Sequence, residues 1–456
     1  MALAFVTVVQ YRERQWGVRM VRIMSTVVIL AVQFSLGCAP PSKQAGGGTS
    51  SETEPQDETA EDESPLEEGL TWHRDIKPLM ETHCVSCHQD GAIGTFSLDT
   101  LQSVSLVSEY VADAVEDRRM PPWKAVDGCD DYRDDLSLTQ AEIDTIVQWV
   151  DEGMAEGSTD DAVDGAPLEV TGLERVDITL ELPVAYTPDQ EVNDDYRCFP
   201  VQWPLEDSAF VTGFVVNPDQ TDLVHHVIAY LAPASYGEAL LAEEAEDGRP
   251  GYPCYGGPGV IDQMDASWLG AWAPGAAQGN FPNGVGVQVD GDSWIILQMH
   301  YNMLGGGQGS DKTSVDFQVE DEAERVGWIQ PFTNPSWLSG IGMEIPAQTD
   351  GVSHSYGLDL GMELVFHSAN LHMHTLGRSA GMTVTSPDGE DDCLLQIDDW
   401  DFDWQRSYVC SEPKTIEAGS RWSIDCQWDN PTDQDVSWGD GTGDEMCLGS
   451  VLISLP

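Results

Sequence analysis

Six soft-metal side chains stand out between residue 225 and the C-terminus. They are the adjacent pair His225-His226 in HHVIAY, His300 in QMHYN, His372 and His374 in LHMHTLG, and Met446 in DEMC. The chain has 10 histidines, and five of them fall inside apolar, strand-like runs. A set of three imidazoles and a set of two imidazoles plus a thioether suit copper. Imidazole binds both copper oxidation states, and thioether favours Cu(I). Neighbouring side chains of a strand point to opposite faces, so His225 and His226 can share one metal only where the backbone bends, for instance at a bulge. His372 and His374 are two apart and so share a face. Taken singly, each signal is weak. An HH pair also reads as one buried and one exposed histidine, and Met446 also reads as a core methionine.

A second redox motif lies upstream. Cys84-Val-Ser-Cys87-His88 has the C-x-x-C-H spacing of covalent c-type haem attachment, in which two thiols add to the haem vinyl groups and the histidine ligates the iron. RDIKPLMETH precedes the motif and RRMPPW follows it, a context similar to small class I cytochrome c domains. Met120 in RRMPPW is the expected distal ligand, with Met80 and Met154 as competitors. His-Met ligation raises the potential of the iron. His83, beside the motif, is given no role.

The order HH, Q-x-H-Y, H-x-H-T-x-G and E-M-C resembles the copper type II, ascorbate-dependent monooxygenases, the peptidylglycine and dopamine β-hydroxylating enzymes. The resemblance runs from about Asp177 to the C-terminus. It implies two jelly-roll-like domains, each carrying one of two copper ions. It implies that His225, His226 and His300 hold an electron-storing copper, and that His372, His374 and Met446 form the catalytic set that takes up O2. The implied reaction is hydroxylation of a C–H bond, with a second electron supplied across a cleft between the domains. The electron donor is then ascorbate or a redox protein, and a fused haem c domain is suited to passing electrons singly. Peptide-hydroxylating relatives hold a peptide carboxylate with an Arg two residues before H-x-H and a Tyr four residues after the copper Met. This chain has Asn370 and Ser450 there, and Arg378 is not at that position. A small neutral or amine-bearing substrate is therefore expected rather than a glycine-extended peptide. The alternative function, from a different class, is a non-enzymatic haem/copper electron-transfer or copper-binding lipoprotein.

Composition sets the frame. At 456 residues the chain is long enough for two or three domains. Its formal net charge is −59, from 79 acidic and 20 basic residues, which disfavours nucleic acid because phosphate is repelled. Arg19 and Arg22 precede the apolar run STVVILAVQFSLG, and Cys38 follows at once. Residues 1–38 thus read as a lipoprotein-type signal peptide, too short for a good membrane span. An ordinary signal peptide with a chance cysteine is the other reading, and Met20 or Met24 are alternative starts. Either way the chain is exported, as a cell-envelope lipoprotein in the periplasm or on the cell surface when Cys38 carries the lipid that anchors it to a membrane. Residues 39–69 are acidic and almost without apolar side chains, so they read as a tether.

The elements that must position these groups follow. Residues 70–160 carry helical patterns and read as a small all-α cytochrome c domain. DTLQSVSLVSEYVADAVEDRR is expected to be one helix. Thr139-x-x-Glu142 is a capping-box signature ahead of a stripe of Ile143, Ile146, Val147 and Val150. Beyond residue 168 the pattern is short strand-like runs separated by Gly, Pro, Asp and Asn, the mark of antiparallel β-sandwiches. The expectation is a mainly β protein with sandwiches at 168–325 and 326–456. Of the 10 cysteines, Cys38, Cys84 and Cys87 are assigned above. The resemblance implies Cys426–Cys447. Cys198–Cys254 and Cys393–Cys410 are the next expected pairs, leaving Cys129 over; an exported chain favours disulfides.

Overall fold

The computed structural model describes residues 69–90, 94–166, 172–244, 246–259, 261, 266–273, 279–282, 284–304 and 306–456. The segment expected to be a signal peptide, with Cys38, and all of the expected tether except Gly69 lie outside the described residues. Among the described residues no helix is long and apolar enough to cross a membrane. The protein is mainly β, with helices gathered before residue 152 apart from one later helix, Gly237–Glu244, and short helical turns.

The helical layer starts with a wide turn, Trp72–Ile76, running into α1 (Lys77–His83), whose C-terminus presents the Cys84-x-x-Cys87-His88 turn. The expected second helix is two: α2 (Leu101–Ser105) and α3 (Ser108–Glu116). The break falls at Val107, which leaves helical geometry at φ −131°, ψ 15°. Ser105 helps end the first piece by donating its hydroxyl to the Leu101 carbonyl, the serine competition that disfavours helix interiors. The capping box ahead of α4 (Gln140–Asp151) forms in both directions between Thr139 and Glu142. Ile143, Ile146 and Trp149 then bury one face of α4 against Trp72, Ile76, Met80, Val111 and Val115.

Two sheets make up the rest. A 14-stranded sheet runs through both sandwich regions, and a four-stranded sheet caps the second. Three strands of the large sheet build the first site: Asp194–Gln202, Trp294–Asn302 and Val224–Ala232, paired antiparallel in that order. In the second region Leu364–His372 pairs with Leu448–Ser454, placing Asn370 opposite Ser450 and His372 opposite Leu448. The four-stranded sheet, in the order 349–359, 421–430, 377–385, 391–397, packs across it over Phe366, Met382, Trp422 and Trp428. The strand Arg325–Phe332 joins the halves. It pairs antiparallel with Leu448–Ser454 and parallel with Val285–Val289, so the 325/326 division falls at the start of a shared strand.

The helical layer is fastened to the second sandwich. Backbone N–H of Val126 donates to Gln396 O at 3.0 Å, Arg133 to Val409 O at 2.8 Å, and Ser411 to Asp131 O at 2.8 Å. Ala125 and Tyr132 enter the second sandwich's core, and Lys124, with a nearly buried side chain, reaches Asp399 at 3.0 Å. Cys198–Cys254 and Cys426–Cys447 form. Cys393–Cys410 does not. Cys393 bonds Cys129, 264 residues away, and Cys410 is a free, buried thiol. The segment 123–133 lies along the edge of Asp391–Ile397 and carries Cys129 to Cys393, a contact that sequence separation hides.

Cross-linking so long a loop restricts the unfolded chain strongly. Cys393→Ser is expected to lower unfolding free energy by about 2–4 kcal/mol, read by denaturant melts. An unchanged midpoint would show that the staple contributes nothing to stability.

Candidate metal centres

The strand Val224–Ala232 bends where two imidazoles must converge. Its register against Trp294–Asn302 shifts between Val224 and His226, so His225 is the extra residue of a bulge and His226 faces His300 directly. The bulge brings both rings to one side. His226 Nδ1 lies 3.4 Å from His225 Nδ1 and 3.2 Å from His300 Nδ1. Nitrogens bound at 2.0–2.1 Å around a tetrahedral metal stand about 3.3 Å apart, so the spacing fits one ion. Ligand atoms of the three residues all lie within 4.8 Å of one another.

The third imidazole is held from behind. His300 Nε2 meets Asp194 Oδ1 at 2.9 Å, and the ring stacks on Tyr196 with centroids 4.1 Å apart. With Nε2–H donated to the carboxylate, Nδ1 is left as a lone pair for the metal, the usual outer support of a metal-binding histidine. Asp194 also accepts from the Thr442 hydroxyl at 2.7 Å. Burial pushes its carboxyl up, but the hydrogen bonds from His300 and Thr442 prevail and hold it at about 2.

His372 and His374 close the second set, with ring centroids 5.1 Å apart. His372 ends its strand and His374 sits just beyond it, so the common face extends past the ladder. His372 Nδ1–H donates to Gln405 Oε1. His374 Nδ1–H donates to the Asp444 carbonyl at 3.0 Å. Both Nε2 atoms are thereby free to bind metal. The segment that holds His374 leads straight into Met446. Glu445 is fully buried and its carboxylate accepts from His374 N, Leu376 N and Trp428 Nε1. Cys447 then ties the segment to Cys426.

The two sets face each other closely. The rings of His226 and His372 are 6.3 Å apart, and Phe402 stacks on His225 at 4.9 Å while edging His374 at 6.1 Å. No wide cleft separates them. Residues of the first sandwich also grip the 440–444 segment: Tyr196 OH donates to Asp440 O at 2.6 Å, and Asn302 Nδ2 to Thr442 Oγ1 at 3.0 Å. Asp194, Gln405, Phe402 and Glu445 were not singled out by sequence. Asp194, Gln405 and Phe402 belong to no spaced pattern, whereas Glu445 is the first residue of the E-M-C motif and is given no role there.

Upstream, Cys84 and Cys87 are free although three other pairs are bridged. Burial, then the neighbouring Cys87, pushes the Cys84 thiol up to about 12. His88 Nδ1–H donates to Phe96 O at 3.2 Å, and among the described residues Nε2 has no bonded partner. Two unpaired thiols and one free imidazole nitrogen are the donors a covalent c-type haem needs. Met80 is buried in the helical core and Met120 is half-buried. His83 is engaged by Leu136 O and Glu142.

Fold and site together define a mainly β protein with two facing clusters of histidines, one of which has ligand atoms close enough to hold a metal ion. Residues 180–306 match the copper type II ascorbate-dependent monooxygenase N-terminal domain, and residues 349–452 match the C-terminal domain of the same family. Together the matches span just over half of the chain, which belongs to this family of oxidoreductases. DBH-like monooxygenase protein 1 of Homo sapiens is 22% identical over 254 residues, covering 52% of this chain and 40% of that protein. Peptidylglycine alpha-amidating monooxygenase of Rattus norvegicus is 27% identical over 148 residues, covering 31% of this chain and 13% of that protein. The chain thus spans less than half the length of the curated relatives it matches. A solved peptide-N(4)-(N-acetyl-beta-D-glucosaminyl) asparagine amidase aligns at 10% identity over 61% of this chain and 96% of its own, with a TM-score of 0.28. That score carries no argument.

Burial holds the imidazoles neutral. His225 and His372 are lowered to about 3 and His374 to about 4, by burial first and then by the neighbouring rings; His226 and His300 are lowered too. These values lie below the usual 6.5, so between them the unfolded chain binds more protons than the folded one. Acidification through that window therefore works against the fold at this cluster. In the copper-free chain these five rings are expected to show no protonation by 15N NMR between about pH 7 and pH 5, where an ordinary imidazole near 6.5 titrates. Titration of all five in that window would contradict the buried arrangement. Separately, Asp194→Asn is expected to weaken copper at the three-imidazole set about 10- to 100-fold, measured by competitive chelation.

Proposed function

We propose that the chain is an exported, copper-dependent monooxygenase. It hydroxylates a C–H bond of a small molecule with O2 and receives electrons through a c-type haem on Cys84, Cys87 and His88. The observation that supports this reading is the clustering of the His225, His226 and His300 ligand atoms beside the His372–His374 pair, whose Nδ1–H groups are spent on Gln405 and Asp444 O. Copper, when bound, supplies one-electron steps and O2 activation, and the haem supplies single electrons. His225, His226 and His300 hold the electron-storing ion. His372, His374 and Met446 hold the ion that meets O2.

The remaining work belongs to the chain itself. Asp194 and Gln405 fix the tautomers of His300 and His372, so no proton competes for the ligating nitrogens. Glu445, through its bonds to His374 N, Leu376 N and Trp428, and the Cys426–Cys447 bond fix the backbone on either side of Met446. Phe402 fills the space between the sets and keeps bulk water from it, which strengthens every charge interaction there. The three disulfides suit an oxidising compartment, which supports export. A lipid on Cys38 that ties the chain to a membrane, and Met120 as the distal haem ligand, are parts of the same reading.

Substrate class follows from what the pocket lacks. Asn370 and Ser450 pair across the sheet beside His372, and Asn370 spends its amide on the Arg406 carbonyl at 2.9 Å. Arg378 is committed to Asp429 at 3.0 Å. Neither arrangement offers a free cation to a substrate carboxylate. A neutral or amine-bearing small molecule fits better than a glycine-extended peptide.

His374→Ala is expected to abolish oxygen uptake coupled to hydroxylated product, to remove one of two coppers, and to leave the haem spectrum unchanged. Product formation surviving that change, measured by mass spectrometry with labelled O2, would sink the assignment of the second set.

A further inference from the structure

Arg406 has an environment that the described residues do not complete. It is 9% exposed, and its Nε is buried without a hydrogen-bond partner. Among the described residues it makes no ion pair. Its guanidinium lies 4.7 Å over the ring of Trp123 and 5.8 Å from that of Tyr408. A guanidinium is never deprotonated in practice, and a buried cation without a bonded anion is strongly disfavoured. The site therefore calls for an anionic group.

The location says which. Trp123 belongs to the helical layer, three residues beyond Met120, whereas Arg406 belongs to the second sandwich. Arg406 thus sits at the junction fastened by Cys129–Cys393. The Cys87 thiol is near enough to act electrostatically on the guanidinium, as are Asp134 and Asp135. None of these bonds Nε. A haem attached through Cys87 brings two propionate carboxylates on the same ring system. Arginine is suited to them, since its planar fork matches carboxylate geometry.

We propose that Arg406, supplied by the copper-binding half of the chain, is the counter-ion of a haem propionate. This rests on the haem reading above. Its consequence is positional. Gln405, the next residue, holds His372, and the Arg406 carbonyl holds Asn370. A two-residue bracket then grips the haem edge with one side chain and the second copper set with the other. The haem is thereby seated on the O2-side donor set rather than on the storage set.

The test is a spectroelectrochemical titration of the full, metal-loaded chain matured in a periplasm, with covalent haem counted by pyridine haemochromogen absorbance. A cation beside the ring favours the reduced iron. Arg406→Gln is therefore expected to lower the reduction equilibrium constant about tenfold, which is about 59 mV for one electron. Arg406→Lys, which keeps the charge, is expected to retain most of the wild-type potential. The wild-type protein gives a check free of any folding defect. Its potential should stay flat through neutral pH, because a buried propionate lacking a cation would titrate upward into that range. A haem-loaded Arg406→Gln chain with the wild-type potential, or a sloping wild-type profile, overturns the role of Arg406 and leaves the haem reading standing. A wild-type chain with no covalent haem overturns both.

Discussion

The rest of the structure depends on five neutral imidazoles drawn into one buried cluster with their lone pairs facing inward. Ring nitrogens at 3.2 and 3.4 Å crowd their lone pairs together unless a tautomeric proton bridges them, and partial burial limits the water that would otherwise relieve them. A bound cation reverses the sign of that interaction. The surroundings are built to hold the rings in this state. A bulge aims His225 and His226 together, Tyr196 stacks on His300, and Asp194, Gln405 and the Asp444 carbonyl take the outward N–H groups. Such a site is ordered at a cost to the apo protein and gains it back when metal binds, because ligand that binds only the folded state adds to its stability.

Closure of the two sets follows from the sheet. The strand Arg325–Phe332 is shared between the halves, and the 440–444 segment is gripped by Asp194, Tyr196 and Asn302 of the first. The same short stretch that supplies Met446 therefore also supports the first donor set through Thr442. Ring contacts of His226 with His372, and of Phe402 with His225 and His374, are the result. On the far side, the helical layer is held to the second half by a disulfide and three backbone hydrogen bonds. The C-x-x-C-H motif of that layer is thus tied to the second sandwich.

Local patterns carried much of this in the sequence. Strand runs were legible because side-chain alternation has a period of two. The α4 start was legible because a capping box is four residues long. The need for a bend at His225-His226 followed from the same alternation. Contacts between distant segments were not legible. Cys129 finds Cys393 because a loop of the helical layer lies along a strand edge, and nothing near Cys129 encodes that. Asp194 lies 106 residues from His300 and is one acid among many in a chain of charge −59. Gln405 is 33 residues from His372 and chemically unremarked. The break between α2 and α3 depended on Ser105 and Val107, which an apolar periodicity alone passes over.

The most direct test of the central pairing is copper stoichiometry measured together with electron paramagnetic resonance of the fully oxidised, copper-loaded chain. Two coppers per chain are expected, with spectra broadened by magnetic interaction because the donor sets stand ring to ring at 6.3 Å. A single copper, or two that behave as magnetically isolated centres, would contradict the facing arrangement of His225, His226 and His300 against His372, His374 and Met446.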